Sequence, residues 1–213
     1  MKKKCLIVGA GEVYDEAISY SDFPLIIAAD GGYLSLKKRG VTPSLLVGDL
    51  DSLEYRPTGI ELLSYKVEKD ETDTELAYLA ALERGASEFH IIGGVGGRSD
   101  HTFANYCLLN RIKNEGYDAF LYGIDDISFI AKNEKITLSG ECGRRFSLFA
   151  FGGDARVNIS GAKYSVSDVT LRPTDTVGVS NELTESDTDL SITSGSLLVI
   201  IENSVNIHLT KLD

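Results

Sequence analysis

A chain of 213 residues has room for two modest domains, each able to bury its own core. With 43% apolar and 25% charged residues, its composition is that of a globular protein rather than a disordered or fibrous one. The balance of 21 basic against 32 acidic residues leaves a formal charge of −11, which argues against a nucleic-acid backbone or an anionic membrane as partner. An anionic ligand fits that charge only where a metal ion or local Lys and Arg residues supply positive potential. Cys5, Cys107 and Cys142 are odd in number and form no CxxC, the pattern of reduced thiols in a cytoplasmic protein. Met1-Lys2-Lys3-Lys4 before Cys5-Leu6-Ile7-Val8 has the charge of a signal peptide, but the apolar run breaks at Gly9. No stretch approaches the ~20 apolar residues of a spanning helix.

Short apolar runs alternate with helical periodicity through the first half. Strands are expected at 5–8, 25–29, 45–47, 62–67, 89–92 and 119–122. Helices are expected at 13–19, at 33–38 with Gly40 as the stop, after Asp73 until Gly85, and after Ser99 as N-cap with Ala104, Cys107, Leu108 and Ile112 on one stripe. This alternation predicts an α/β domain with a mainly parallel sheet over residues 1–126. From residue 127 the texture changes to short β-like runs at 127–131, 135–138, 146–151, 155–159 and 197–201, punctuated by Gly, Asn, Ser and Asp. Residues 127–213 therefore read as an all-β sandwich or barrel-like domain, with 181–189 as an exposed loop.

The acid-bearing motifs of the first domain each follow a predicted strand: Asp30-Gly31-Gly32, Gly48-Asp49-Leu50-Asp51-Ser52, Asp70 with Asp73, and Asp100. The crevice beyond the carboxyl ends of parallel strands would gather them from distant points in the chain. Asp49 and Asp51 repel one another unless a cation or shared proton relieves them, and a hard oxygen-ligated divalent ion, Mg2+ first, suits such a loop. A polar turn is the alternative. Asp70 and Asp73 share a helix face if the helix begins early; otherwise Asp70 or Thr72 caps it.

Gly93-Gly94-Val95-Gly96-Gly97-Arg98 reads as a phosphate loop, with backbone N–H groups and the following helix N-terminus facing the anion and Arg98 gripping it in a fork. It lacks the Gly-Lys-Ser/Thr ending of a Walker A loop. His101 is either a general acid/base or a helix-start residue bonded to backbone; His90 and His208 lie in apolar contexts and read as structural. Without a Cys/His cluster, zinc is not expected. Gly9-Ala10-Gly11, with Asp30 about 20 residues on, imitates a dinucleotide fingerprint, but Tyr14 stands where the third glycine belongs.

Taken together, these motifs make the chain resemble the bacterial thiamine pyrophosphokinase family. The resemblance rests on Asp30-Gly31-Gly32, Gly48 to Ser52, Lys69-Asp70-Glu71-Thr72-Asp73-Thr74-Glu75 and Gly94 to His101, and in the second domain on Gly161-Ala162-Lys163-Tyr164 and Val177-Gly178-Val179-Ser180-Asn181-Glu182. It implies transfer of the β,γ-pyrophosphate of ATP to the hydroxyl of thiamine, giving thiamine diphosphate and AMP. It also implies a homodimer that holds thiamine where the subunits meet. By position, Asp49, Asp51, Asp73 and Asp100 would serve Mg2+, the polyphosphate and the attacking hydroxyl. Asp30, Gly31, Lys69, Thr72, Gly94, Gly96, Gly97 and Arg98 would hold ATP, and Ser180 and Asn181 would contact thiamine. Some relatives stack an aromatic, sometimes Trp, on thiamine; this chain has no Trp and departs from them there, with Tyr and Phe as the candidates to substitute. Two other readings stand beside it: a non-catalytic nucleotide-binding regulator, from the Gly9/Gly11/Asp30 near-fingerprint, and a metal-dependent phosphohydrolase using the same acids on water.

Overall fold

Short, mainly apolar runs closed by Gly9, Asp30, Gly48, Gly93 and Gly123 become five of the six parallel strands of the first half of the chain. The computed structural model describes residues 2–15, 18–49, 57–65 and 70–211. The chain divides into two compact units, Met1–Ile124 and Asp125–Asp213.

In the first unit, β1 (Lys4–Val8), β2 (Leu25–Ala29), β3 (Leu45–Gly48), β4 (Glu61–Ser64), β5 (Glu88–Ile92) and β6 (Asp118–Tyr122) run parallel in the order β6-β5-β1-β2-β3-β4. The chain steps outward from β1 to β4, then returns to the other side of β1 for β5, so the winding reverses between β1 and β5. In open parallel sheets this switch point is where a crevice opens beyond the strand ends. Strand β2 is buried along its whole length, as a parallel strand covered on both faces should be. Helices α1 (Gly32–Lys38), α2 (Asp73–Glu83) and α3 (Ser99–Asn114) supply that cover: α1 packs on β1 and β2, α2 on β1, β2 and β3, and α3 on β6. Tyr78 of α2 meets Phe89 of β5 edge-on, ring centroids 4.8 Å apart, in the centre of this core.

Several local expectations change. No helix forms among the described residues of 13–19; there is only a 3-10 turn at Tyr20–Asp22. Arg39, at the C-cap of α1, ties this stretch down: its Nη2 donates to the Val13 carbonyl at 3.1 Å and its Nε to the Asp15 carboxylate at 2.6 Å. Helix α2 begins at Asp73 with Thr72 as cap, the Thr72 hydroxyl accepting from Glu75 N at 3.2 Å, so Asp70 precedes the helix and shares no face with Asp73. Ser99 is the first residue inside α3, and Arg98 takes the N-cap position without a side-chain cap bond.

The second unit holds two antiparallel sheets and, among the described residues, no helix. One places β7 (Asp126–Lys132), β9 (Arg145–Ala150), β12 (Asn181–Glu182) and β14 (Ser196–Glu202) in the order β12-β9-β14-β7. The other places β8 (Glu134–Ser139), β10 (Ala155–Ser160), β11 (Val166–Leu171), β13 (Asp187–Ser194) and β15 (Asn206–Lys211) in the order β11-β10-β13-β8-β15. Burial alternates along β8 and β10, each sending one face inward. The stretch 181–189 is not an exposed loop: Asn181 and Leu183 are buried, and β13 begins at Asp187.

Gly32 marks the tightest junction of α1 with the sheet, since a Cβ there would lie 1.9 Å from the Val8 carbonyl oxygen. Gly32→Ala is expected to lower the urea midpoint by an amount corresponding to about 3 kcal/mol, the upper range for overpacking. Gly40→Ala, where φ is +69° but nothing lies within 4 Å of a Cβ, should cost only about 1–2 kcal/mol. The reverse order would refute the packing account of Gly32.

Candidate active site

At the switch point the loops after β1 and β5 are laced through their backbones. Gly9 N donates to Ile92 O at 2.8 Å and Gly11 N to Gly93 O at 2.9 Å. A Cβ on Gly9 would lie 2.5 Å from Gly93 O, and one on Gly93, where φ is +68°, 2.6 Å from Gly9 O. Glycine is required on both sides by this approach. That explains Gly9 and Gly11 without a dinucleotide fingerprint, which needs a helix directly after the turn; among the described residues none follows Gly11.

The adjacent strand ends are tied in the same way. Asp30, with φ of 47°, donates its N–H to Val47 O at 2.7 Å, and Gly48 packs so closely that a Cβ there would lie 3.2 Å from the Asp30 Cα. Asp30 therefore sits beside the start of Gly48-Asp49, with Asp49 half-buried. On the other side, the loop after β5 has a clamped base and an open tip. Buried Asn105 donates from Nδ2 to Gly94 O at 2.7 Å, while Gly96 and Gly97 adopt φ of +81° and +67° with nothing within 4 Å of a Cβ.

Between these loops lies a cavity of about 300 Å³. Of the residues singled out in the sequence, Asp30, Thr72, Asp73, Gly94, Gly96, Gly97 and Arg98 line it, together with His101. Gly31 backs its wall, a Cβ there meeting Ala10 Cβ at 3.0 Å. Asp100 instead faces a neighbouring groove beside Thr72. Both of its oxygens are engaged by Arg98, Oδ2 to Nη2 at 2.5 Å and Oδ1 to Nε at 3.1 Å, and His101 N also donates to it. The guanidinium fork and that N–H lower the Asp100 carboxyl to about 2, and the Asp100 carboxylate in turn raises the pKa of Arg98, so the pair is ionised. Asp51 and Lys69 lie outside the described residues.

Among the described residues no group of three or more His, Cys, Asp or Glu side chains is close enough to hold a metal ion. Asp30, Asp73 and Asp49 nonetheless offer hard oxygen donors in or next to the cavity, a donor set that suits Mg2+ rather than a soft metal. Of the other histidines, His90 is buried, with its ring nitrogens bonded to Tyr122 and Glu88, and His208 lies exposed on β15.

In the second unit, Ser180 is exposed with φ of 58°, and its N–H donates to Ser147 Oγ at 3.0 Å. Asn181 is turned inward. Its Oδ1 accepts from Tyr164 N and its Nδ2 donates to Tyr164 O, both at 3.0 Å, which fixes the backbone of a tyrosine that is 59% exposed. Asn105 and Tyr164 went unselected in the sequence. Asn105 had a visible signal, as a polar residue beside the apolar stripe of α3; Tyr164 had none beyond its motif.

Comparison with known proteins bears on this arrangement directly. The family described as thiamin pyrophosphokinase, catalytic domain, matches residues 18–121, and the thiamin pyrophosphokinase vitamin B1 binding domain matches residues 130–199. The chain belongs to the thiamin pyrophosphokinase family. It is 30% identical over 201 residues to the thiamine pyrophosphokinase of Bacillus subtilis (strain 168), covering 90% of this chain and 94% of that one. A crystal structure of the thiamine pyrophosphokinase from Bacillus subtilis superposes with a TM-score of 0.85 at 25% identity, over 94% of this chain and 99% of that one. A thiamin pyrophosphokinase family protein from Enterococcus faecalis superposes with a TM-score of 0.82 at 26% identity, over 93% and 98% of the two chains. The family membership agrees with the α/β and antiparallel β architecture of the two units.

Asn105→Ala would remove the clamp on Gly94 without touching the open tip of the loop. The expected result is a stability loss of about 1–3 kcal/mol in urea and roughly tenfold weaker binding of inorganic tripolyphosphate by calorimetry. Unchanged tripolyphosphate affinity would show that the clamp does not shape the phosphate loop.

Proposed function

We propose that this chain transfers the β,γ-pyrophosphate of ATP to the hydroxyl of thiamine, giving thiamine diphosphate and AMP. Membership of the family makes it an enzyme of thiamine diphosphate formation, a kinase that uses ATP. The observation that carries the reading is the cavity at the β1/β5 switch point, where carboxylates face a glycine and arginine loop.

In this mechanism Gly94, Gly96 and Gly97 present backbone to the polyphosphate, and Arg98 exchanges its fork on Asp100 for phosphate oxygens. Asp30, Gly31, Lys69 and Thr72 hold the rest of the nucleotide. Asp49, Asp51, Asp73 and Asp100 are the residues to hold Mg2+, which supplies charge neutralisation for the polyphosphate when bound. Either Asp73 or Asp100, the latter once Arg98 has moved to phosphate, accepts the thiamine hydroxyl proton. Positioning and charge, rather than a covalent enzyme intermediate, carry the step.

Thiamine itself is assigned to the second unit. Ser180 lies exposed, and Tyr164 offers an aromatic face to a cationic ring while Asn181 holds it in place. We also propose a homodimer in which this surface completes the active site at the subunit boundary. Cys5, Cys107 and Cys142 are all free thiols, which suits a reducing cytoplasm. Among the described residues no helix is long and apolar enough to cross a membrane.

Incubation with ATP, Mg2+ and thiamine, with the nucleotide products separated, tests the reaction. AMP appearing only when thiamine is present is expected. ADP, or nucleotide hydrolysis that ignores thiamine, would contradict it, the second being the signature of a phosphohydrolase. Asp49→Asn and Asp73→Asn are expected to lower kcat by about 100-fold or more with an unchanged circular dichroism spectrum, and EDTA should abolish turnover reversibly.

A further inference from the structure

The loop after β5 is held at its base from two directions. Asn105 bonds Gly94 O from α3. On the other side runs the segment after β1, where a Cβ on Gly93 would meet the Val13 Cγ2 methyl at 3.2 Å and one on Gly11 would meet Val95 O at 3.2 Å. Gly11 and Val13 thus pack against Gly93 and Val95, the turn from which the glycine-rich tip rises. Residues 12–15 belong to neither helix nor strand. A segment without a hydrogen-bonded ladder of its own keeps its shape through tertiary contacts.

Arg39 supplies those contacts from the C-cap of α1. Its guanidinium folds back along the helix, Nη1 donating to Ser35 O at 3.2 Å, and turns its other donors on the segment: Nη2 to Val13 O at 3.1 Å and Nε to the Asp15 carboxylate at 2.6 Å. Tyr20 OH donates to the same Asp15 oxygen at 2.7 Å. Burial alone would raise the Asp15 carboxyl, but the bonds from Arg39 and Tyr20 outweigh it and lower its pKa, so the clamp is charged at neutral pH. A planar fork with donors in fixed directions joins these three acceptors at once, which an ammonium on a flexible stem does not reproduce. Among the described residues that line the cavity, neither Val13 nor Arg39 is found.

We propose that Arg39 is a positioning residue for the phosphate loop: by fixing Val13 and Asp15 against α1, it keeps the Val13 side chain against Gly93 and sets where Gly94 to Arg98 enter the cavity. This rests on the phosphotransfer reading and adds to it a residue outside the cavity that governs phosphate affinity. Arg39 touches neither the substrates nor the reacting atoms in this scheme.

Arg84 provides a matched control. It is the C-cap residue of α2, and it donates to Ala80 O at 3.0 Å and to the Glu61 carboxylate at 2.5 Å, at the start of β4 and the end of the sheet opposite the cavity. Variants of the full-length protein are compared by calorimetry with inorganic tripolyphosphate, by steady-state kinetics with ATP, Mg2+ and thiamine, and by urea denaturation. Arg39→Lys and Val13→Ala are each expected to weaken tripolyphosphate binding roughly tenfold and to raise KM for ATP by a similar factor with kcat unchanged. Because both act at one contact, the double variant should lose no more than about tenfold in all, whereas independent effects would multiply to about a hundredfold. Arg84→Lys should lower the urea midpoint to a similar extent yet keep wild-type tripolyphosphate affinity. Asp15→Asn, which leaves the Val13 bond in place, is a milder cut in the same clamp. It should weaken tripolyphosphate binding in the same direction, and it carries the comparison should Arg39→Lys fold poorly. Wild-type tripolyphosphate affinity in either clamp variant, an equal loss in Arg84→Lys, or full multiplication in the double variant would each overturn the positioning role while leaving the phosphotransfer reading standing. Failure of the wild-type protein to bind tripolyphosphate would overturn both.

Discussion

The backbone lacing of the β1 and β5 loops is the constraint on which the site depends. Two N–H donations from Gly9 and Gly11, to carbonyls 2.8 and 2.9 Å away, join the strand ends that flank the reversal of winding. The approach is so close that neither Gly9 nor Gly93 has room for a Cβ. Once these loops are joined, the rest of the β5 loop must arch away from the sheet, and the Asn105 bond to Gly94 O fixes where the arch begins. The cavity is the space left between this arch, Asp30 at the end of β2 and Asp73 at the start of α2. Packing of the α/β layer and the geometry of the site are thus one feature, since the helices that bury the sheet also carry the residues that line the cavity.

A chain with net charge −11 that is to bind a polyphosphate faces an electrostatic conflict. Its resolution is local. Asp30 and Asp73 line one cavity, where on the proposed reading a divalent cation would offset their charge, and the arginine of the β5 loop is held by Asp100 two residues on. That exposed pair costs little to open, because water and salt screen it. An exchange of Asp100 for phosphate oxygens is therefore close to balanced, as a site that must bind and release at each turnover requires.

Much of the fold was legible because burial on both faces leaves a plain signal. Leu25–Ala29 and Leu45–Val47 are apolar runs closed by Asp30 and Gly48, and both are strands as expected. Strand β11 left no such signal: it lies at a sheet edge, and most of its side chains are exposed or half-buried. No helix forms among the described residues of the 13–19 stretch, where Arg39 reaches from another element to Val13 O and Asp15, a contact the local sequence does not announce. The site followed the same division. Its acids and glycines were visible as strand-end residues, because crevice position is set by topology. The groups that position them, Asn105 for Gly94 and Asn181 for Tyr164, act through contacts between residues 11 and 17 positions apart, which spacing alone does not reveal.

On the proposed reading the polyphosphate sits in the cavity at the β1/β5 switch point. A backbone amide NMR titration of the intact protein with inorganic tripolyphosphate tests this. Saturable shifts centred on Gly94, Gly96, Gly97 and Arg98 are expected, with amides of the second unit unmoved. Saturable binding that leaves those four amides unchanged and shifts resonances elsewhere would contradict it.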